Sequence, residues 1–185
     1  HKFKDQPLTI IDVGAHVGET ISLFSKNFTI KKIICYEASR LNFNKLTKSK
    51  NSKKNNIFLN NIALGSKKTE LEFFQTSESS SSTFCQIDQN SNYFKRKKNI
   101  LNIFNREEYI LKSELIKIAT LKNEINKYDL KHIDILKIDT EGFEFDVIRG
   151  ADESLKLVNF ILFEHHYDQM IIKKYKFNQI NEYLT

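Results

Sequence analysis

Two groups of residues in this chain combine reactive side chains with the spacing that a binding site needs. The first is the run Ile10-Ile11-Asp12-Val13-Gly14-Ala15-His16-Val17-Gly18. Glycines at the carboxyl end of an apolar strand let a ligand approach the backbone closely. A helix beginning there directs unbonded N–H groups and the positive end of its dipole at the same crevice, where a carboxylate could be held. Tight strand-to-helix packing also demands glycine, so the partner residue decides. That partner is Glu37, nineteen positions beyond Gly18 and at the end of a second apolar run. An α/β nucleotide-binding fold sets an acid there against ribose hydroxyls. A carboxylate accepts two hydrogen bonds from a cis-diol and repels a 2′-phosphate. His16 stands where dinucleotide sites keep their middle glycine, and its ring would crowd a pyrophosphate. A nucleoside cofactor without a pyrophosphate fits better.

The second group comprises Lys137-Ile138-Asp139-Thr140-Glu141-Gly142 and Glu164-His165-His166, each at the end of an apolar run. Asp139, Glu141, Glu164, His165 and His166 could each take a proton from a substrate hydroxyl. Asp139 and His165 lead, with Glu141 beside them: a histidine titrates near neutrality, and Asp139 could instead hold a cofactor amino group. The same residue types suit a divalent cation. Neighbouring histidines on a strand point to opposite faces, however, so no metal site is assigned. Glu144 reads as a complement to the dipole of the helix it opens.

Positioning these residues takes alternating strands and helices. Short β-branched runs at Leu8–Val13, Lys32–Glu37, Ile57–Leu64, Ile133–Asp139 and Val158–Glu164 read as buried strands. Between them, helical spacing covers Glu19–Phe28, a segment capped by Ser39, Leu121–Leu130 and Phe143–Arg149, with Gly150 suited to a left-handed C′ position. This alternation means a parallel sheet. Thr69–Phe74 alternates like one arm of a hairpin, Gln75–Asn92 is a polar loop containing Ser79 to Ser82, and Tyr167–Tyr183 has helical spacing. Asn99–Ile118 fits neither period.

The chain has 185 residues, enough for one core and hence one domain. It begins at His1 and its one methionine is Met170, which fits a piece of a longer protein. The net charge of +6 comes from lysines scattered in pairs. Only Lys95-Arg96-Lys97-Lys98 is dense, and with just Tyr93 and Phe94 beside it a base-stacking surface is poorly supported. Two cysteines make no disulfide framework, which points to a reducing, cytoplasmic setting. No run approaches the roughly 18 apolar residues of a membrane span.

Taken in order, several motifs resemble the FkbM family of methyltransferases over roughly Leu8 to His166. They are Asp12 to Glu19, Tyr36-Glu37-Ala38-Ser39, Asn61-Ile62-Ala63-Leu64, Thr120-Leu121, Lys137 to Gly142 with Glu144 and Gly150 behind it, and Glu164. The resemblance implies a Rossmann-like class I methyltransferase sheet in three α/β/α layers, here lacking its last two strands. It also implies S-adenosyl-L-methionine as cofactor. Asp12, Gly14, Ala15, His16 and Gly18 would cradle its methionine part, Glu37 with Ala38 the ribose, and Asn61, Ile62 and Ala63 the adenine, with Asp139 completing the set. The family's usual Asn is His16 here, and its usual Asp is Lys122.

The leading expectation is therefore an O-methyltransferase acting on a hydroxyl of a sugar, glycolipid or polysaccharide, with no nucleic-acid partner. Three other readings compete with it. A nicotinamide oxidoreductase is disfavoured by the missing glycine, an RNA-binding or RNA-modifying module would use the basic run, and a scaffold would keep the fold without the activity.

Overall fold

A computed structural model describes residues 6–76, 82–88, 90–92, 94–96, 99, 110–165 and 171–185. Its centre is a five-stranded parallel sheet. The strands are β1 (Leu8–Val13), β2 (Ile30–Tyr36), β3 (Ile57–Asn60), β8 (Ile133–Ile138) and β9 (Val158–Phe163), in the order β3-β2-β1-β8-β9. All six residues of β1 are buried, as a central strand covered on both faces requires. On one face Leu8, Ile10, Ile33, Cys35 and Ile135 pack against Ile21 and Phe24 of α1 (Glu19–Asn27) and Leu46 of α2 (Arg40–Leu46). On the other, Ile11, Val13, Ile34, Tyr36, Leu136 and Ile138 meet Leu121 and Ile125 of α3 (Leu121–Lys127) and Val147 and Ile148 of α4 (Glu144–Arg149). The expected three-layer, Rossmann-like arrangement is present. Ser39 caps α2 as expected, its hydroxyl accepting from the Asn42 N–H at 3.2 Å.

The chain leaves β1 toward β2 and β3 on one side and later returns to β8 and β9 on the other. The order therefore reverses between β1 and β8, and a crevice opens beyond the carboxyl ends of these strands.

The structure departs from the sequence reading in four places. The expected strand Ile57–Leu64 is two: Asn61 and Ile62 break it, and β4 (Ala63–Leu64) joins a separate sheet ordered β4-β7-β5. Asn61 makes the break by turning its amide to the Glu37 and Ala38 carbonyls, at 2.8 and 3.2 Å. The long antiparallel partner of β5 (Thr69–Thr76) is the remote β7 (Ile110–Ala119), with only a local antiparallel bridge from Phe74 to Thr83 beside it, and the segment of ambiguous period ends in this long strand. Within Tyr167–Tyr183 the described part is a short strand, β10 (Ile171–Ile172), paired with β6 (Gln86–Ile87), followed by α5 (Phe177–Leu184). Lys97, Lys98, Ser79 to Ser81, His166 and Met170 lie outside the described residues.

The fourth departure is Gly150, which sits at φ −70° rather than in the left-handed region. Its lack of a side chain serves packing. A Cβ there would stand 2.0 Å from the carbonyl oxygen of Gly65, in the turn joining β4 to β5. Gly150→Ala should therefore lower stability by about 2 to 3 kcal/mol through this collision, read from urea unfolding. Without the collision the same change at this φ would stabilise by about 0.4 to 1 kcal/mol, so the sign tests whether this contact pins the second sheet to the body.

Candidate cofactor and substrate cleft

The crevice is built by backbone hydrogen bonds at the strand ends. Gly14 and Ala15 N–H both donate to the Tyr36 carbonyl, at 2.9 and 3.1 Å, and Asp139 N–H donates to the Val13 carbonyl at 2.9 Å. These bonds bring the exit of β8 against the turn after β1. Gly14, at φ +80°, has no room for a side chain, because a Cβ would lie 1.8 Å from the Asp139 carbonyl oxygen. Contact with the neighbouring strand accounts for this glycine by itself, so close approach of a ligand is not needed to explain it.

Glu37 follows β2 and is 6 % exposed. One carboxylate oxygen accepts from the His16 N–H and the other from the Ser39 N–H, each at 2.8 Å. The acid thus locks the turn after β1 to the turn after β2. Each oxygen keeps a further acceptor position, and the residue lines the cleft. Burial pushes its pKa up to about 7 against the pull of those two N–H groups.

Beneath the turn stands Lys137, a cation in an otherwise apolar strand segment, Ile135 to Ile138. Its ammonium is 3.3 Å from Asp12 Oδ1 and 3.2 Å from Asp139 Oδ2, and it donates to the Gly14 carbonyl at 3.1 Å. Asp12 is fully buried. Burial raises its pKa to about 6, with Lys137 opposing the shift. Burial alone would lower the lysine's pKa, but the Asp12 and Asp139 carboxylates more than offset this and hold it above its usual value.

The turn after β8 is organised by Glu144. Its Oε1 accepts from Thr140 N–H and Oγ1, both at 3.1 Å, and from Gly142 N–H at 3.0 Å, while its Oε2 accepts from the Tyr175 hydroxyl. The residue is completely buried. Complementing the helix dipole is thus a small part of its work. Burial, with Glu144 adding to it, raises the Tyr175 phenol far above its ordinary range. The turn so fixed carries Glu141 at φ +52°, and Glu141 lines the cleft.

The cleft has a volume of about 410 Å³, within the range of small-molecule sites. Of the residues singled out from sequence, Gly14, Ala15, His16, Glu37, Ala38, Ile62, Ala63, Asp139, Glu141 and Glu164 line it. Asp12, Gly18 and Asn61 stand behind the lining and shape the turns. His165 does not line it: its ring lies 5.9 Å from that of Tyr175 and 5.4 Å from that of Phe177, in accord with strand alternation after Glu164. Sequence reading gave Lys137 no role of its own and passed over the aromatic wall of Phe73, Phe84 and Phe143. A lysine inside an apolar strand was a visible signal, whereas the wall arises from segments far apart in the chain. Among the described residues, no three metal-ligating side chains cluster.

Comparison with known proteins agrees with the fold. The family model described as the Methyltransferase FkbM domain matches residues 12–185. A crystal structure of Methyltransferase FkbM from Methylobacillus flagellatus KT superposes with a TM-score of 0.51 at 15% identity, over 80% of this chain and 30% of that one. That likeness is one of fold, and the chain spans less than a third of the other protein. No curated protein matches the chain.

Two stability measurements probe the buried charges. Folded Asp12 keeps its proton up to about pH 6, whereas the unfolded side chain releases it near 3.8. The folded state therefore binds more protons across that window, and stability falls as pH rises through it. Relative to Asp12→Asn, the parent protein should lose about 2 kcal/mol between pH 4 and pH 7; a flat difference would show that Asp12 does not titrate there. Lys137→Met should cost about 3 to 5 kcal/mol at pH 7 by stranding a buried carboxylate, and adding Asp12→Asn should recover much of it.

Proposed function

The chain belongs to the FkbM methyltransferase family, and from that premise we propose that it uses S-adenosyl-L-methionine to methylate a hydroxyl oxygen of a sugar, glycolipid or polysaccharide. One observation carries the cofactor reading. The Glu37 carboxylate lines the cleft beside the Gly14–His16 turn, pinned by two backbone N–H groups and still able to accept from a ribose diol. The fit extends to the rest of the cleft. Ile62, Ala63 and Leu64 offer an apolar wall for a base, and Asp139 and Glu141 offer carboxylates to a cationic amino group or an acceptor hydroxyl. His16 lines the cleft where dinucleotide sites keep their middle glycine, which supports a nucleoside cofactor over a dinucleotide.

When bound, S-adenosylmethionine supplies a methyl carbon activated by its sulfonium. The chain's own contribution is position and a proton acceptor. Glu37 would hold the ribose and the turn after β1 the methionine part, while Lys137 holds Asp139 in place from below. Asp139 and Glu141 are the candidate bases inside the cleft. His165, packed against Tyr175 and Phe177, stands outside the cleft lining and is not a candidate base. The free, buried thiols of Cys35 and Cys85 support a reducing, cytoplasmic setting.

Titration calorimetry tests the reading. S-adenosylhomocysteine should bind saturably and NAD should not, and Glu37→Ala should weaken binding by about 10- to 100-fold, the loss of two hydrogen bonds to a charged group. Far-ultraviolet circular dichroism on the same samples verifies that the variant is folded. A folded parent protein that binds no S-adenosylhomocysteine would overturn the cofactor assignment.

A further inference from the structure

A second cavity, also of about 410 Å³, opens beside the first. Its lining is mainly apolar, with Leu71, Phe74, Ile118 and Tyr175 beside the polar Ser66, Thr69 and Gln86. Its mouth carries Lys67, Glu72 and Lys174, all exposed, together with the half-exposed Ile172. The acid inside, Asp146, already accepts from the Ser66 hydroxyl at 2.8 Å. Phe84 and Phe143 line both cavities, their ring centroids 5.2 Å apart. This shared wall is tied to the turn after β8. Thr83 Oγ1 donates to the Glu141 carbonyl at 2.6 Å, and Cys85 Sγ donates to the Gly142 carbonyl at 3.2 Å. An apolar chamber therefore adjoins the carboxylate-lined cleft, with two aromatic rings between them.

Resting on the methyltransferase reading above, we propose that the second cavity holds an aliphatic tail of the acceptor, whose hydroxyl-bearing head reaches over the edge of the packed Phe84–Phe143 pair into the adjoining first cleft. A bare sugar would leave its own hydroxyls without partners against Phe74 and Ile118. An alkyl chain gains from burial there in proportion to its length. The mouth mixes charges of both signs, so it gives no preference for an anionic tail. Among the acceptors considered, the cavity selects a glycolipid-like amphiphile.

The test is calorimetric titration of butyl, hexyl and octyl glucosides, below their micellar concentrations, into protein saturated with S-adenosylhomocysteine. Affinity should rise by roughly tenfold for each two methylenes added, and glucose alone should bind weakly or not at all. Ile172→Glu, at the exposed mouth, should abolish this chain-length dependence while leaving S-adenosylhomocysteine affinity unchanged. Affinity independent of chain length, or chain-length dependence that survives Ile172→Glu, would overturn the proposal. So would glucosides that displace S-adenosylhomocysteine, since the tail would then occupy the first cleft. If S-adenosylhomocysteine itself fails to bind, the methyltransferase reading falls and the acceptor assignment with it, even where the glucosides bind. If it binds and the glucosides do not, only the tail site is lost.

Discussion

The ion cluster of Asp12, Lys137 and Asp139 is the constraint on which the cleft depends. A carboxylate with no solvent exposure lies at the end of the central strand, and one ammonium from the adjacent strand answers it. Taking such charges out of water is costly, and pairing within hydrogen-bond range offsets that cost only while the two strand ends stay in register. The cluster thus makes the relative position of β1 and β8 part of its own stability. Because Lys137 also donates to the Gly14 carbonyl, the same cation fixes the first residue of the turn that forms the cleft floor.

Two further buried carboxylates repeat one device above that floor. Glu37 gathers the N–H groups of His16 and Ser39, and Glu144 gathers those of Thr140 and Gly142. In each case a short acidic side chain satisfies backbone donors that a turn leaves without partners, so the turn can stay open toward the crevice. These hydrogen bonds hold the two turns in place without regular secondary structure of their own. Tyr175, from the segment after β10, completes the second of these hubs and ties the C-terminal part of the chain to the turn carrying Glu141.

Much of the fold could be read from the chain because it depends on local period. Leu8–Val13 and Ile133–Ile138 are largely apolar runs of strand length, and Ser39 is a cap of the type that bonds an N–H three residues on. The second sheet was not readable in this way. Thr69–Thr76 finds its antiparallel partner in Ile110–Ala119, and no local pattern announces a pairing across so many residues. Gly150 misled for a related reason: the position after a helix suggests a left-handed turn, while its actual neighbour, Gly65, is remote in sequence.

The sequence by itself determined the parallel α/β core, the turn from Asp12 to Gly18, the acid at Glu37 and the carboxylates at Asp139 and Glu141, because each rests on residue type and short spacing. The tertiary structure decided what those residues do for one another. It turned His165 away from the cleft, assigned Glu144 to holding the turn after β8, and made Lys137 the cation that Asp12 requires. It also joined Phe84 to Phe143 across 58 residues as a wall between two cavities. Burial and orientation are properties of the packed chain. A side chain's charge or shape acquires its role only when distant strands have set what stands within a few ångströms of it.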